Sequence, residues 1–311
     1  MRGRLVTLVG LLQAAAILTI AFSVVTLLRT DHFALQLFSH FRLQYLVISL
    51  LLFVVFAVLR SPRYAGALLA VALLNASLVL PWYLDKHESE TGADLKLVLA
   101  NVLSTNTKYE QLFDLLDAED PDVVVLLEVS PEWLVAMDPL RLTYPYSYAE
   151  ARDGNFGIAL FSRLPLKSVG HVDSPPSGYP TINATLAVRE HSLHLVPTHP
   201  THPVGKRRYA ARNEHLESLP ALLEKPAGPT VLVGDLNTSM WDVNYRLLEA
   251  NTGFRNARRG FGIAPTWPTF LPFAMIPIDH VLVSKDVGVR DVHAGQRIGS
   301  DHLPLVVTIT L

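Results

Sequence analysis

The sequence predicts a mixed α/β domain with sheet at its centre, preceded by three membrane-spanning helices, and three observations carry that prediction. Residues 5–28, 43–59 and 64–84 contain no Asp, Glu, Lys or Arg. Each approaches the roughly 20 apolar residues that a helix needs to cross about 30 Å of hydrocarbon. The segment Asp85–Asp94, DKHESETGAD, is charged and lacks apolar periodicity, as a linker does. Beyond it, apolar runs of strand length alternate with stretches of helical period. The expected organisation is a membrane region over residues 1–84, a linker over 85–94 and a domain over 95–311.

Arg2 and Arg4 ahead of the first stretch resemble the start of a signal peptide, but the apolar core outruns such a region and two further spans follow. The second stretch is short for a span, yet Leu, Ile, Val and Phe all around the helix leave no polar face for water. Arg2, Arg4, Arg60 and Arg63 fall on one side of the predicted spans, against Arg29, Arg42 and Lys86 on the other. That bias places the N-terminus inside and residues after 85 outside. With no charge within the three stretches, a transport pathway has nothing to be built from. The chain has no cysteine, so no disulfide holds it.

Within the domain, Leu95–Asn101 and Asp122–Val129 read as buried strands, with a helix over Tyr109–Ala118 between them. Further strands are expected at Phe156–Ser162, Thr181–Val188, Leu193–Thr198, Thr230–Gly234, Ile278–Val283 and Leu305–Leu311, and helices at Arg207–Leu223 and Val243–Ala250. One mixed α/β domain accommodates this pattern. Residues 88–311 carry 19 Lys/Arg against 26 Asp/Glu, a balance of −7, so the domain is not a general polyanion binder.

Carboxylates, amides and imidazoles stand at the ends of these apolar strands: Asn101, Glu128, Asp235 with Asn237, Asp279 with His280, and Asp301 with His302. Buried singly, each needs a partner or a cation; several converging from separate strands imply a site. Oxygen donors of this kind suit Mg²⁺ or Mn²⁺, while the lack of cysteine and of H-E-x-x-H spacing disfavours zinc. A divalent cation beside free imidazoles and carboxylates suits hydrolysis of a phosphate ester. No G-x-S-x-G, P-loop or dinucleotide fingerprint is present.

Taken in order, Asn101 in LANVL, Glu128 in LLEV, Gly157–Arg163, Thr198–Pro200, Gly234–Asn237, Ile278–His280 and Ser300–Pro304 resemble the endonuclease/exonuclease/phosphatase superfamily over residues 95–311, in a bacterial membrane-anchored form. The resemblance implies a four-layer α-β-β-α sandwich of the deoxyribonuclease I type. It implies that Glu128 binds Mg²⁺ with Asn101 and Asp301 close by, and that Asp235 orients or deprotonates the attacking water. It further implies that Asn237 holds a phosphate oxygen or the water, that Asp279 holds His302 on the phosphate or as base, and that His199 protonates the leaving group. Asp235 and His302 both stay open as the base. Where some relatives carry an acidic residue just after the first Asn, this chain has Val102, Leu103 and Ser104; Asn106 is an alternative ligand or a turn former. His280 stands where relatives often carry Tyr.

Lys206, Arg207, Arg208 and Arg212 form one basic patch and Arg255, Arg258 and Arg259 another; each suits substrate phosphates, a lipid headgroup or a solvated helix face. Trp267 is a candidate pocket floor, and Tyr179 and Tyr209 are candidates for stacking on a base, with ordinary packing the favoured alternative for each. The expectation is a Mg-dependent phosphoesterase, with Mn as a substitute, anchored in a bacterial inner or plasma membrane and facing outward. Its substrate is a nucleic acid, a phospholipid or a phosphomonoester, its membrane partner is the lipid bilayer, and no protein partner is implied. The competing expectation is a catalytically silent receptor or scaffold that keeps the fold.

Overall fold

The computed structural model describes residues 7–27, 32–84, 94–223 and 228–311. Arg2, Arg4, Arg29, Lys86 and the linker up to residue 93 lie outside the described residues. Two compact units emerge, residues 1–81 and 82–311.

The first unit is helical: α1 (Leu8–Val25), α2 (Phe33–Leu37) passing through a 3₁₀ turn at Phe38–Phe41 into α3 (Arg42–Val58), α4 (Pro62–Val79), and the start of α5 (Pro81–Leu84). The helices Leu8–Val25, Phe33–Val58 and Pro62–Leu84 are long and apolar enough to cross a membrane. Apolar side chains such as Ile17, Leu51, Val54 and Leu73 face outward, while Ser23, Ser49 and Asn75 are wholly buried. That inverted distribution suits a lipid environment, where a lone polar group is costly. The second span begins ten residues earlier than the uncharged stretch, and Arg42, which charge counting places in a loop, is buried. Its Nη1 donates to the Ser23 carbonyl at 2.9 Å and to Asn75 Oδ1 at 3.4 Å, and Asn75 Nδ2 donates to Ser23 Oγ at 2.6 Å. The helical region therefore does contain a charge, compensated by partners on α1 and α4.

The second unit runs β1 (Asp94–Asn101), α6 (Tyr109–Glu119), β2 (Val123–Leu127), α7 (Pro131–Ala136), β3 (Tyr146–Glu150), β4 (Ile158–Ser162), β5 (Leu166–Ser174), β6 (Tyr179–Val188), β7 (His191–Pro197), α8 (Lys206–Ser218), α9 (Pro220–Leu223), β8 (Thr230–Asp235), α10 (Val243–Thr252), β9 (Arg255–Asn256), β10 (Asp279–Val283), β11 (Gly288–Ala294) and β12 (Leu305–Thr310). Two six-stranded mixed sheets form, in the orders β11-β12-β1-β2-β4-β3 and β5-β6-β7-β8-β10-β9. Alternation sorts each central strand: Leu95, Leu97 and Leu99 face the core between the sheets, with Ile182, Leu195, Val231 and Val281 from the second sheet. Val98 and Ala100 turn outward under Leu112, Leu115 and Leu116 of α6. Both faces are buried, which is why these strands read as unbroken apolar runs. On the outer face of the second sheet, α8, α9 and α10 bury Tyr209, Leu216, Leu223, Tyr245 and Leu248. The expected helix over 207–223 is broken at Pro220, which has no N–H for a continuing ladder.

Topology delivers the polar residues to one end of both sheets. β1 and β2 are parallel, with Asn101 beside Leu127, so Asn101 and Glu128 emerge together. β12 runs antiparallel to β1 with Leu305 opposite Leu99, bringing the preceding His302 to that same end. Asp279 opens β10 directly opposite Asp235 at the close of β8. Parallel pairing of Pro197 with Val233 sets the segment after β7 beside them.

Gly234 makes this convergence possible: a Cβ there would lie 1.9 Å from the Thr198 carbonyl oxygen. Gly234→Ala is expected to destabilise the protein by about 3 kcal/mol or more, because backbone rather than a flexible side chain blocks the added carbon. Gly170→Ala, where the new carbon meets nothing within 4 Å, is the control. Thermal melting of the two variants checks this: equal midpoints for both would be evidence against the close approach.

Candidate active site

Asn101, Glu128, His199, Asp235, Asp279 and His302 are all buried at the strand ends. The Asn101 side chain ties them together. Its Nδ2 donates to Glu128 Oε1 at 3.0 Å and lies 3.4 Å from Asp235 Oδ2 and 3.5 Å from His302 Nε2. Its Oδ1 accepts from the Leu103 backbone at 3.1 Å, which fixes the amide's orientation. Asp235 Oδ2 also faces His199 Nε2 at 3.5 Å and His302 Nε2 at 3.7 Å, while its Oδ1 accepts from the Asn237 N–H at 2.8 Å. Asn237 Nδ2 donates to the Pro200 carbonyl at 3.0 Å and approaches His199 Nε2 at 3.4 Å. Glu128 and Asn237 hold positive φ angles of 61° and 51°, a left-handed conformation that is uncommon for residues bearing a Cβ and less readily adopted by Glu than by Asn. Conformations of this kind survive where the surroundings fix them, and they concentrate at functional sites.

Charge is balanced across this cluster. Burial pushes the Glu128 carboxyl up from its ordinary value, against the neighbouring His199 and the Asn101 hydrogen bond, which favour its ionised form. His302 Nδ1 bonds Asp279 Oδ2 at 2.9 Å. Burial opposes charge on His302, yet Asp279, with Asp235 and Asp301 beyond it, carries the imidazole up to about 9. Asp279 moves the other way: burial works against its charge, and the His302 partnership holds it below the usual carboxylate range. His199 is raised too, since its Asp235 contact and the Glu128 charge overcome its burial.

A surrounding layer holds these groups. Asp301 is half-buried and accepts from Trp267 Nε1 at 2.9 Å, so Trp267 clamps the carboxylate beside His302. Arg212 donates to the Asn237 carbonyl at 3.2 Å and lies 3.5 Å from Asp242 Oδ2. Behind the His199 segment, Thr181, Thr198 and His215 form a closed hydroxyl–imidazole network at 2.8 to 3.2 Å. Sequence reasoning missed the latter two devices. The signal was there: Tyr209, Arg212 and His215 recur every three residues along one face of α8.

Two patch residues change their reading, while His280, Asn106, Tyr179 and Tyr209 take the strand, turn or packing roles that are the alternatives to function. Arg212 and Arg258 leave the basic patches, because both side chains are wholly buried. His280 is internal, bonded to Asn256 at 2.9 Å and to the Thr238 carbonyl at 2.8 Å. Asn106 acts as a turn former: it accepts from Lys108 N–H and donates to the Val102 and Ile298 carbonyls. Tyr209 is buried, and Tyr179 stacks on Phe156 with centroids 3.6 Å apart.

The donor set suits a hard divalent cation. Buried carboxylate oxygens dominate, and the Glu128 carboxyl is pushed up from its ordinary value because burial outweighs its His199, Asn101 and His302 neighbours, a deficit that a cation would fill. Asp235, Asp279 and His302 also offer three donor atoms within 4.8 Å of one another. The 2.9 Å hydrogen bond between His302 Nδ1 and Asp279 Oδ2 already engages two of those groups, however, and Asp235 is held by Asn237, which leaves Glu128 as the candidate ligand outside that cluster.

A family model described as "Endonuclease/Exonuclease/phosphatase family" matches residues 98–302. No curated protein matches the chain. Among solved structures, humanized TDP2 of D. rerio is similar at 18% identity and a TM-score of 0.59, covering 70% of this chain and 99% of that one. The 3′ phosphatase NExo from Neisseria, bound to a product DNA hairpin, has 18% identity and a TM-score of 0.58, covering 68% of this chain and 98% of its own. Sphingomyelinase C from Streptomyces griseocarneus has 17% identity and a TM-score of 0.53, covering 70% and 99%. At such identities these likenesses establish the sandwich fold and nothing finer.

Burial depresses the His215 imidazole from 6.5 to about 3. The unfolded chain therefore binds a proton at His215 between those values that the folded chain refuses, so stability is full above pH 6.5 and falls as the pH drops towards 3. About 2 kcal/mol is expected to be lost from this group by pH 5. His215→Gln retains a polar partner for Thr198 without titrating, so its melting temperature should decline less over pH 6.5 to 5. An identical decline in both proteins would remove His215 from the network.

Proposed function

The chain belongs to the endonuclease/exonuclease/phosphatase family of phosphate-ester hydrolases, and from that premise we propose a Mg²⁺-dependent phosphoesterase anchored by its N-terminal helices. The carrying observation is the convergence of Glu128, Asp235 and His302 on the Asn101 amide. In this reading the catalytic region spans residues 95–311, residues 85–94 link it to the spans, and it faces outward from a bacterial inner or plasma membrane.

Glu128 would hold the cation, with Asn101 and Asp301 close by. Bound there, a divalent cation supplies neutralisation of phosphate charge. The protein groups do the rest. His302, with its Nδ1 committed to Asp279 and its value near 9, is protonated at neutral pH and presents Nε2 as a donor to phosphate oxygen. That leaves Asp235 as the group that orients the water and accepts its proton. Asn237 donates to the water or a phosphate oxygen from a strained, fixed backbone. Water oxygen bonds to phosphorus, the phosphorus–oxygen bond to the leaving group breaks, and His199, also raised, returns a proton to the leaving oxygen.

Full-length protein in detergent, assayed on single-stranded DNA, RNA, phospholipid and a chromogenic phosphodiester, tests this. Hydrolysis of at least one class should require Mg²⁺ or Mn²⁺ and stop in EDTA. Asp235→Asn and His302→Ala should each lower kcat by about 10² to 10⁴-fold. Turnover that persists in EDTA, or that survives both substitutions, would contradict the mechanism; no turnover on any class would favour the silent scaffold.

A further inference from the structure

We infer that the loop between Trp267 and Ile276 enters the lipid surface, so that the ester taken by this site is that of a phospholipid headgroup. The inference rests on the phosphoesterase reading and names its substrate class. The base of the loop is closed by a two-way backbone pairing of Trp267 with Ile276 and is fastened to the segment that carries His302. Trp267 Nε1 donates to Asp301 Oδ2 at 2.9 Å, Thr269 N–H to the Asp301 carbonyl at 2.8 Å, and Thr269 Oγ1 to the Ser300 carbonyl at 3.0 Å. On this anchored base the tip presents Phe270 and Phe273, 71% and 78% exposed, with Leu271 between them. These two are the exposed phenylalanines among the described residues.

Neighbouring exposed rings on an anchored base form an apolar tip of the kind that marks an interaction surface, and the tip belongs to a chain with three helices long and apolar enough for a membrane. Exposed Arg297 donates to the Thr269 carbonyl at 2.8 Å, placing a cation beside the apolar tip. The segment after His199 repeats the pairing: it exposes Val204 and then Lys206, Arg207 and Arg208. Apolar tips flanked by cations match the boundary between acyl chains and anionic headgroups. A membrane tether also keeps that surface at high effective concentration.

The chain has no cysteine, so Phe270→Cys gives a single labelling site. Full-length protein carrying a polarity-sensitive fluorophore at 270, reconstituted in phosphatidylcholine–phosphatidylglycerol nanodiscs, should be quenched by doxyl-labelled lipid. The same label at Leu142→Cys, 91% exposed in the native chain, should be quenched by aqueous iodide instead. Replacing Phe270 and Phe273 by Ser should lower the ratio of phospholipid to chromogenic-diester turnover about tenfold or more. A label at 270 as open to iodide as that at 142, or a ratio unchanged by the double substitution, overturns the inference. So does selective loss of single-stranded DNA cleavage, which would make the rings a base-stacking surface. Failure of the unsubstituted chain to cleave any of the four substrate classes overturns the phosphoesterase reading itself, whereas cleavage with a water-exposed label at 270 overturns only the lipid assignment.

Discussion

Burial of like charge at one point constrains everything else in this molecule. Glu128, Asp235 and Asp279 come from three strands in two sheets and meet in a nearly water-free cleft. Uncompensated, such carboxylates would drive the strand ends apart or take up protons. Two imidazoles and one amide prevent that. Asn101 Nδ2 reaches a carboxylate from each sheet, so one side chain bridges the sandwich at the site. The Asp279–His302 pair shares charge within the cleft; breaking a buried pair of this kind typically costs about 3–5 kcal/mol, more than the whole pair contributes over an apolar replacement. Retention of these groups is therefore better explained by chemistry than by stability.

The remaining architecture serves that meeting point. Gly157 and Gly234 allow backbone to approach backbone where a Cβ would clash at 1.9 Å with the Val129 and Thr198 carbonyls. Those contacts set the residues flanking Glu128 and His199. Positive φ at Glu128 and Asn237 aims two side chains into the cleft, and the backbone strain is sustained by the packed strands before them. Buried Arg212 braces the Asn237 carbonyl from the helical layer, so α8 both covers the second sheet and steadies a site residue.

Much of this was legible in the sequence, and what escaped has a common cause. All eight strands expected from apolar runs exist; most are buried on both faces, and β6 keeps one partly buried face of Asn183, Thr185 and Ala187. The four strands that were not expected, β3, β5, β9 and β11, are the four sheet edges. Edge strands alternate with water or carry charge to discourage further pairing, so β5 reads as LKSVGHVDS and shows no apolar run. Charged residues misled in the opposite direction. Arg42, Arg212 and Arg258 read as surface cations, yet each is buried on partners distant in sequence: Ser23 and Asn75, Asn237 and Asp242, and His280. Only the fold reveals such partners. The convergence of Asn101, Glu128, His199, Asp235, Asp279 and His302 was legible because strand ends are sequence-local features, whereas the supporting layer is assembled from contacts across 17 to 34 residues, as in Thr181, Thr198 and His215.

Cation binding is the consequence of the buried carboxylates that separates a working site from a preserved scaffold. Calorimetric titration of Mg²⁺ and Mn²⁺ into the full-length protein, beside Glu128→Gln, measures it without reference to any substrate. One saturable site that raises the melting temperature, weakened about tenfold or more by Glu128→Gln, is the predicted result. Equal affinity in the two proteins, or no binding to either, would contradict a metal site at Glu128.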